Sequence, residues 1–115
     1  GERFQKAATQ AHLQAGRNEE AASIFESLPP ETRDNPSPLG VALSQQSGEV
    51  GQADRMAQRL DLVRPEIQDW FKAMGRAALE RGDSVSADAY FRWSQGPTSM
   101  RPTEPVIRAP AESTA

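Results

Sequence analysis

A chain of 115 residues with a hydrophobic fraction of 37%, of which 17 residues are alanine, has room for one compact domain or a short run of small repeats. Without cysteine it forms no disulfide, thiolate nucleophile or zinc knuckle, and a single histidine leaves little scope for a histidine metal site. A net charge of -3 and a pI near 5.1 argue against a nucleic-acid partner, and no apolar run reaches the length of roughly 18 residues that a membrane span needs.

In chain order, Gly1-Glu2-Arg3-Phe4 lacks the apolar stretch of a signal peptide. A first helix pair is predicted over 3–15 and 18–28. Gly16 stands where a helix needs a left-handed residue after its last turn, and Asn18 where the next helix needs an N-cap. Glu19 and Glu20 favour the positive end of that second helix, and Pro29-Pro30 stop it. A second pair is predicted over 37–47 and 51–63, turning at Gly48 and closed by Pro65. It is the poorest of the three, with Gly40, Gly51 and Ala57 where larger residues would pack more, and it is expected to be held mainly by its neighbours. The third pair, over 66–81 and 84–95, has the clearest pattern: Ile67, Trp70, Phe71, Met74 and Ala78 advance by three or four along one face. Gly82 makes its turn, Ser84 is the expected N-cap and Gly96-Pro97 the stop.

Beyond Pro97, further prolines at 102, 105 and 110 exclude any helix longer than a turn; composition favours a linker or disordered end, and an ordered extended tail is the alternative. The last helix carries Tyr90, Phe91 and Trp93 with no seventh helix to cover them. The tail is expected to run across that end or into a groove, anchored by Met100, Val106 and Ile107.

One pattern recurs three times in phase. Gly16, Ala21 and Phe25 are matched by Gly48, Ala53 and Ala57, and again by Gly82, Ala87 and Phe91, at spacings of 32 and 34 residues. The alanine lets the second helix lie close to the first, and the aromatic one turn later fills the space between them. The units are 2–33, 34–66 and 67–97, followed by a tail at 98–115. The expected fold is all-α: an α-solenoid of three antiparallel helix pairs with an extended, proline-rich C-terminal tail.

The pattern resembles the tetratricopeptide repeat family over residues 2–97. The third unit carries most of the resemblance, through Phe71, Met74-Gly75, Ala78, Gly82-Asp83, Ala87 and Tyr90-Phe91. The first matches in Gly16, Ala21, Phe25 and Leu28, and the second in Gly48, Ala53, Leu60 and Pro65. The resemblance implies a right-handed superhelix whose concave groove is lined by the first helix of each pair, and a binding scaffold without chemistry of its own. By repeat phase the groove presents Arg3, Lys6, Gln10, Gln14, Gln45, Gln46, Asp69, Lys72, Arg76 and Glu80. A clamp for chaperone-tail carboxylates, known within the family, would need Lys and Asn in the first two units and Lys or Arg in the third. Lys6 fits, but Gln10 and Leu39 stand at Asn sites, and Asp69 and Ala73 at the basic ones, so that ligand is not expected.

Trp70, Phe71 and Phe91 read as core by their spacing, while Trp93 falls outside the core phase and is a candidate end-surface contact, with the tail, a further repeat or a partner. His12, Glu19, Glu20 and Asp88 read as solvated or helix-start residues; no catalytic set, cofactor site or metal cluster is visible. The expected function is a non-catalytic protein-interaction scaffold that takes an extended peptide or an enzyme domain. The lack of a polar capping helix, and a best-formed unit near the C-terminal end, predict a piece of a longer array with flanking repeats. Arrays resembling this one occur in bacterial exopolysaccharide export proteins, of the Pel or cellulose type, where a periplasmic array recruits partners. That resemblance favours the periplasm and leaves the cytoplasm open. The alternatives are direct polysaccharide binding, or an intracellular or pilus-assembly adaptor.

Overall fold

The computed structural model describes residues 1–97, which form seven α-helices and no strand. In order they are α1 (Glu2–Gln14), α2 (Asn18–Glu26), α3 (Pro30–Arg33), α4 (Pro38–Gln46), α5 (Val50–Ala57), α6 (Pro65–Glu80) and α7 (Ser84–Ser94). Six of them correspond to the six expected from sequence, but α5 stops at Ala57, six residues short of the expected 51–63. The seventh, α3, is a single turn started by Pro29 and Pro30, since a proline that ends one helix is also suited to the first turn of the next. α6 begins at Pro65, so the unit boundary placed after residue 66 falls inside a helix.

The closest packing is within α1–α2, α4–α5 and α6–α7, each joined by three residues. The three turns share one hydrogen-bond pattern. The N–H of Gly16 donates to the Leu13 carbonyl and that of Arg17 to His12, at 3.1 and 2.8 Å. Gly48 and Glu49 repeat this on Gln45 and Ser44, and Gly82 and Asp83 on Leu79 and Ala78. All three glycines have φ between +80° and +90°, a conformation that costs glycine little and other residues more. One helical step later, Ala21, Ala53 and Ala87 are each fully buried. The threefold pattern in sequence is thus a threefold pattern in backbone hydrogen bonding and in close helix approach.

The helix starts differ from expectation. Asn18 does not cap α2; its side chain turns to Gln46 of the next pair. α7 is capped by Asp83 rather than Ser84, through the Ser86 N–H donating to Oδ1 at 3.1 Å. Burial alone would raise the Asp83 carboxyl, but the bonds from Ser86 and the nearby Arg81 prevail and hold it below the ordinary range. Ser37 caps α4, its Oγ accepting from the Gly40 N–H at 3.1 Å, with Pro38 at the first helical position.

The core is richest in the third pair. Phe71, Met74, Tyr90 and Trp93 are fully buried, and the rings of Phe71, Tyr90 and Trp93 lie 5.5 to 6.1 Å apart in stacked and tilted pairs. Trp93 was expected outside the core as an end-surface contact; it is 0% exposed and packs on Phe71 and Tyr90. The repeat-phase argument failed there because α7 buries a broad face, from Ser86 to Ser94, wider than the stripe of a helix packed on one neighbour.

The three pairs meet around α4, which touches α1, α2, α6 and α7 besides its own partner α5. The amide of Gln46 is the polar hub of that meeting. Its Nε2 donates to the Leu13 carbonyl at 3.0 Å and to Asn18 Oδ1 at 2.7 Å, and its Oε1 accepts from the Tyr90 hydroxyl at 2.7 Å. Asn18 Nδ2 returns a bond to the Gln46 carbonyl at 3.0 Å. One half-buried side chain thus joins all three pairs, with both amide hydrogens and the carbonyl oxygen engaged. α1 also touches α6 directly, and Arg81 Nη1 donates to the carbonyl of Gln14 at the negative end of α1, at 3.1 Å. The first and third pairs are therefore in contact, which strict nearest-neighbour stacking would not give.

The expected tail anchors Met100, Val106 and Ile107, like all of 98–115, lie outside the described residues.

Candidate functional site

The face expected to form one groove is divided. At the level where α1 leaves its first turns, a pocket of about 510 Å³ opens between the first pair, the start of α4 and α6. Its walls are apolar: Ala7 from α1, Phe25 and Leu28 from the end of α2, Pro38 and Leu39 from the start of α4, and Trp70 from α6. Its rim is polar, with Lys6, Gln10, Thr32, Asn35 and Ser37. Each wall has a local cause. Pro38 and the Ser37 cap start α4 at this level, so Leu39 lines the pocket while its other side packs against the core. Leu28 is buried where the chain leaves α2 for α3. Trp70 stands edge-on to Phe71, with centroids 5.3 Å apart at 87°, so a fully buried ring fixes its orientation while it remains half-buried.

The electrostatics of the pocket are mild. The one cation at the rim, Lys6, is held 3.4 Å from Glu2 on its own helix, and the Glu2 carboxyl is lowered first by the Thr32 hydroxyl that donates to it and then by Lys6. The remaining rim groups are neutral donors and acceptors. Walls of this kind accept aliphatic or aromatic side chains, and the rim can hydrogen-bond the backbone between them.

Of the expected groove residues, Lys6 and Gln10 reach this pocket. Gln14, Arg76 and Glu80 come together elsewhere, in a shallow trough where α1 meets α6, floored by Ala11, Ala15, Ala73 and Ala77. Asp69 and Lys72 form a 4.0 Å ion pair on the exposed side of α6, and Arg3 is exposed on α1. Gln45 and Gln46 are not groove residues at all. Gln45 is 4% exposed, and the half-buried Gln46 amide is engaged by Leu13, Asn18 and Tyr90. α4 is surrounded on several sides, so the face that repeat phase assigns to a groove is spent on packing against α1, α6 and α7.

The residues that sequence reasoning missed are Phe25, Leu39 and Trp70. Trp70 was assigned to the core by its spacing with Phe71, but only Phe71 is fully enclosed. A signal for Leu39 was present: Lys6, Gln10 and Leu39 are three of the positions compared with the carboxylate clamp, and all three line the pocket. His12 is explained locally, its Nδ1 accepting from Arg17 Nε at 2.9 Å. Among the described residues no three His, Asp or Glu side chains converge as a metal site would need, and no helix is long and apolar enough to cross a membrane.

Comparison of the chain with family models, with curated proteins and with solved structures finds no match.

Proposed function

We propose that this chain is a non-catalytic protein-interaction scaffold, and that the pocket between Phe25, Leu39 and Trp70 receives apolar side chains of an extended partner segment. The observation that carries this reading is the pocket itself, an apolar cavity assembled from all three helix pairs with a rim of neutral hydrogen-bonding groups. The three equivalent turns and the three buried alanines support the tetratricopeptide-like reading of the repeat, though contact of α1 with α6 makes the stack more closed than the superhelix expected of that family. On the same resemblance the scaffold would serve a bacterial envelope or polysaccharide-export assembly. Direct glycan binding draws on Trp70 and Phe25 in one pocket. It is the weaker reading, because Ala7, Leu28, Pro38 and Leu39 offer nothing to sugar hydroxyls.

The test is a selection of peptides from a random display library on the full chain, followed by affinity measurement. Ala7 is exposed on α1 at the pocket wall, so Ala7→Glu places a charge at the mouth without disturbing the core. Selected peptides should lose at least about tenfold in affinity for Ala7→Glu and keep it for Arg76→Glu in the other trough. Equal binding to Ala7→Glu and wild type would remove the pocket as the contact surface. Capture of neutral oligosaccharides in place of peptides would favour the glycan reading.

A further inference from the structure

We propose that the chain's own C-terminal tail docks in this pocket through Val106 and Ile107, so that a partner must displace it. The inference rests on reading the pocket as a site for extended peptide segments. Three observations bear on it.

The first is chemistry. The pocket asks for an apolar, uncharged segment that can present backbone amides to Gln10, Asn35 and Ser37, because its one cation is already engaged by Glu2. The tail supplies Pro105-Val106-Ile107, where Val106 and Ile107 are the one pair of adjacent large apolar side chains in 98–115. Arg101 and Arg108 are balanced by Glu104 and Glu112, so the tail brings no net side-chain charge. Prolines fix φ and lower the entropy that an extended segment loses on docking against aromatic walls.

The second is position. α7 ends at Ser94, and Gly96, two residues further on, has a φ of +99° that redirects the chain. A Cβ on Gly96 would stand 3.5 Å from Gln68 Nε2, which sets the start of the tail against the first turns of α6, the helix that carries Trp70. Val106 lies nine residue steps beyond Pro97. At polyproline spacing they span about 28 Å, well beyond the roughly 10–12 Å diameter of the helix they must pass.

The third is concentration. A segment tethered this closely presents itself at an effective concentration of about 1 mM, so an intrinsically weak site is still largely filled. Partner binding is weakened in proportion, which gives the scaffold a threshold.

The test uses the full chain. Its two tryptophans, buried Trp93 and pocket-lining Trp70, give separate indole N–H resonances in nitrogen-resolved NMR. Contacts between the Trp70 indole and the Val106 and Ile107 methyls are expected, independent of protein concentration. They should vanish in Val106→Asp/Ile107→Asp, with the Trp93 resonance unmoved. A synthetic peptide of residues 103–110 should bind that double variant about tenfold more tightly than wild type. If Trp70 is unchanged in the double variant and the peptide binds both forms equally, the tail inference is wrong and the pocket reading stands. Peptide that binds neither form overturns the pocket reading for this segment as well. Contacts that grow with protein concentration overturn docking within one chain in favour of a second copy.

Discussion

The second and third helix pairs have the same turn and the same buried alanine, yet they are held together by different means. In the third pair, α6 and α7 enclose Phe71, Met74, Tyr90 and Trp93, and Gly75 lets the ring of Phe91 lie against the α6 backbone. In the second, α4 and α5 have nine and eight residues, and their fully buried apolar side chains are Val41, Ala42, Ala53 and Ala57. The short helices of the second pair carry less apolar area, so their place is fixed from outside, by the Gln46 amide and by contact with four other helices. A repeat can therefore keep its backbone while its stability moves from within the unit to the joints between units. The pocket lies at such a joint, where a well-packed pair and a thin one leave Leu39 and Trp70 incompletely covered.

The contrast is tested most severely by Phe71→Ala, which should cost about 3–5 kcal/mol, since it removes a fully enclosed ring from a cluster that cannot collapse around the loss. The denaturant midpoint reads this directly. A loss below about 1 kcal/mol would mean that the third pair is not the anchor of the fold.

A matched pair of glycine substitutions sharpens the comparison. An alanine Cβ at position 75 would meet Phe91 ring carbons at 2.8 Å, whereas at position 40 its nearest neighbour is Met56 Sδ at 3.0 Å. A stiff aromatic ring packed on the α6 backbone yields less than a flexible methionine end. Gly75→Ala should lose about 1–3 kcal/mol, and Gly40→Ala should change by about 1 kcal/mol or less in either direction. Equal losses would erase the distinction between a tight pair and an adaptable one.

Tyr90→Phe probes the joint itself, where it leaves Gln46 Oε1 without its donor and should cost about 1–2 kcal/mol. The joint also carries a pH signature. Burial, partly offset by the positive charge of Arg81, raises the Tyr90 hydroxyl above its ordinary value of 10.0. The unfolded chain therefore loses this proton first as pH rises. The stability due to the neutral phenol is whole below pH 10 and declines above it, until the folded protein too releases the proton. Tyr90 is the one tyrosine in the chain, so phenolate absorbance follows it alone. Tyr90→Phe should flatten the alkaline fall in stability; an unchanged slope would show that the phenol is not held neutral by the fold.

The sequence made the hairpins legible, because Gly16, Gly48 and Gly82 answer a local requirement for positive φ and Ala21, Ala53 and Ala87 one for close approach. Phe71 and Met74 were readable for the same reason. The joints were not. Gln46 looks like a solvated groove residue until Leu13, Asn18 and Tyr90, up to 44 residues away in sequence, are brought around it. Trp93 looked exposed because repeat phase describes a helix with one neighbour. The site suffered from the same gap. Lys6 and Gln10 were placed on the right face, whereas Phe25 and Trp70 read as core, since a helix pattern tells which side is apolar but not whether the neighbour is long enough to cover it.

We propose that a partner segment binds in the pocket at the joint of the three pairs. The two tryptophans allow it to be tested in one titration: a peptide selected on the full chain is added while both indole resonances are followed. Binding in the pocket should shift the Trp70 resonance in step with saturation and leave the buried Trp93 resonance fixed. Saturable binding that leaves Trp70 unmoved and instead perturbs Gln14, Arg76 and Glu80 would place the contact in the α1–α6 trough and contradict the claim.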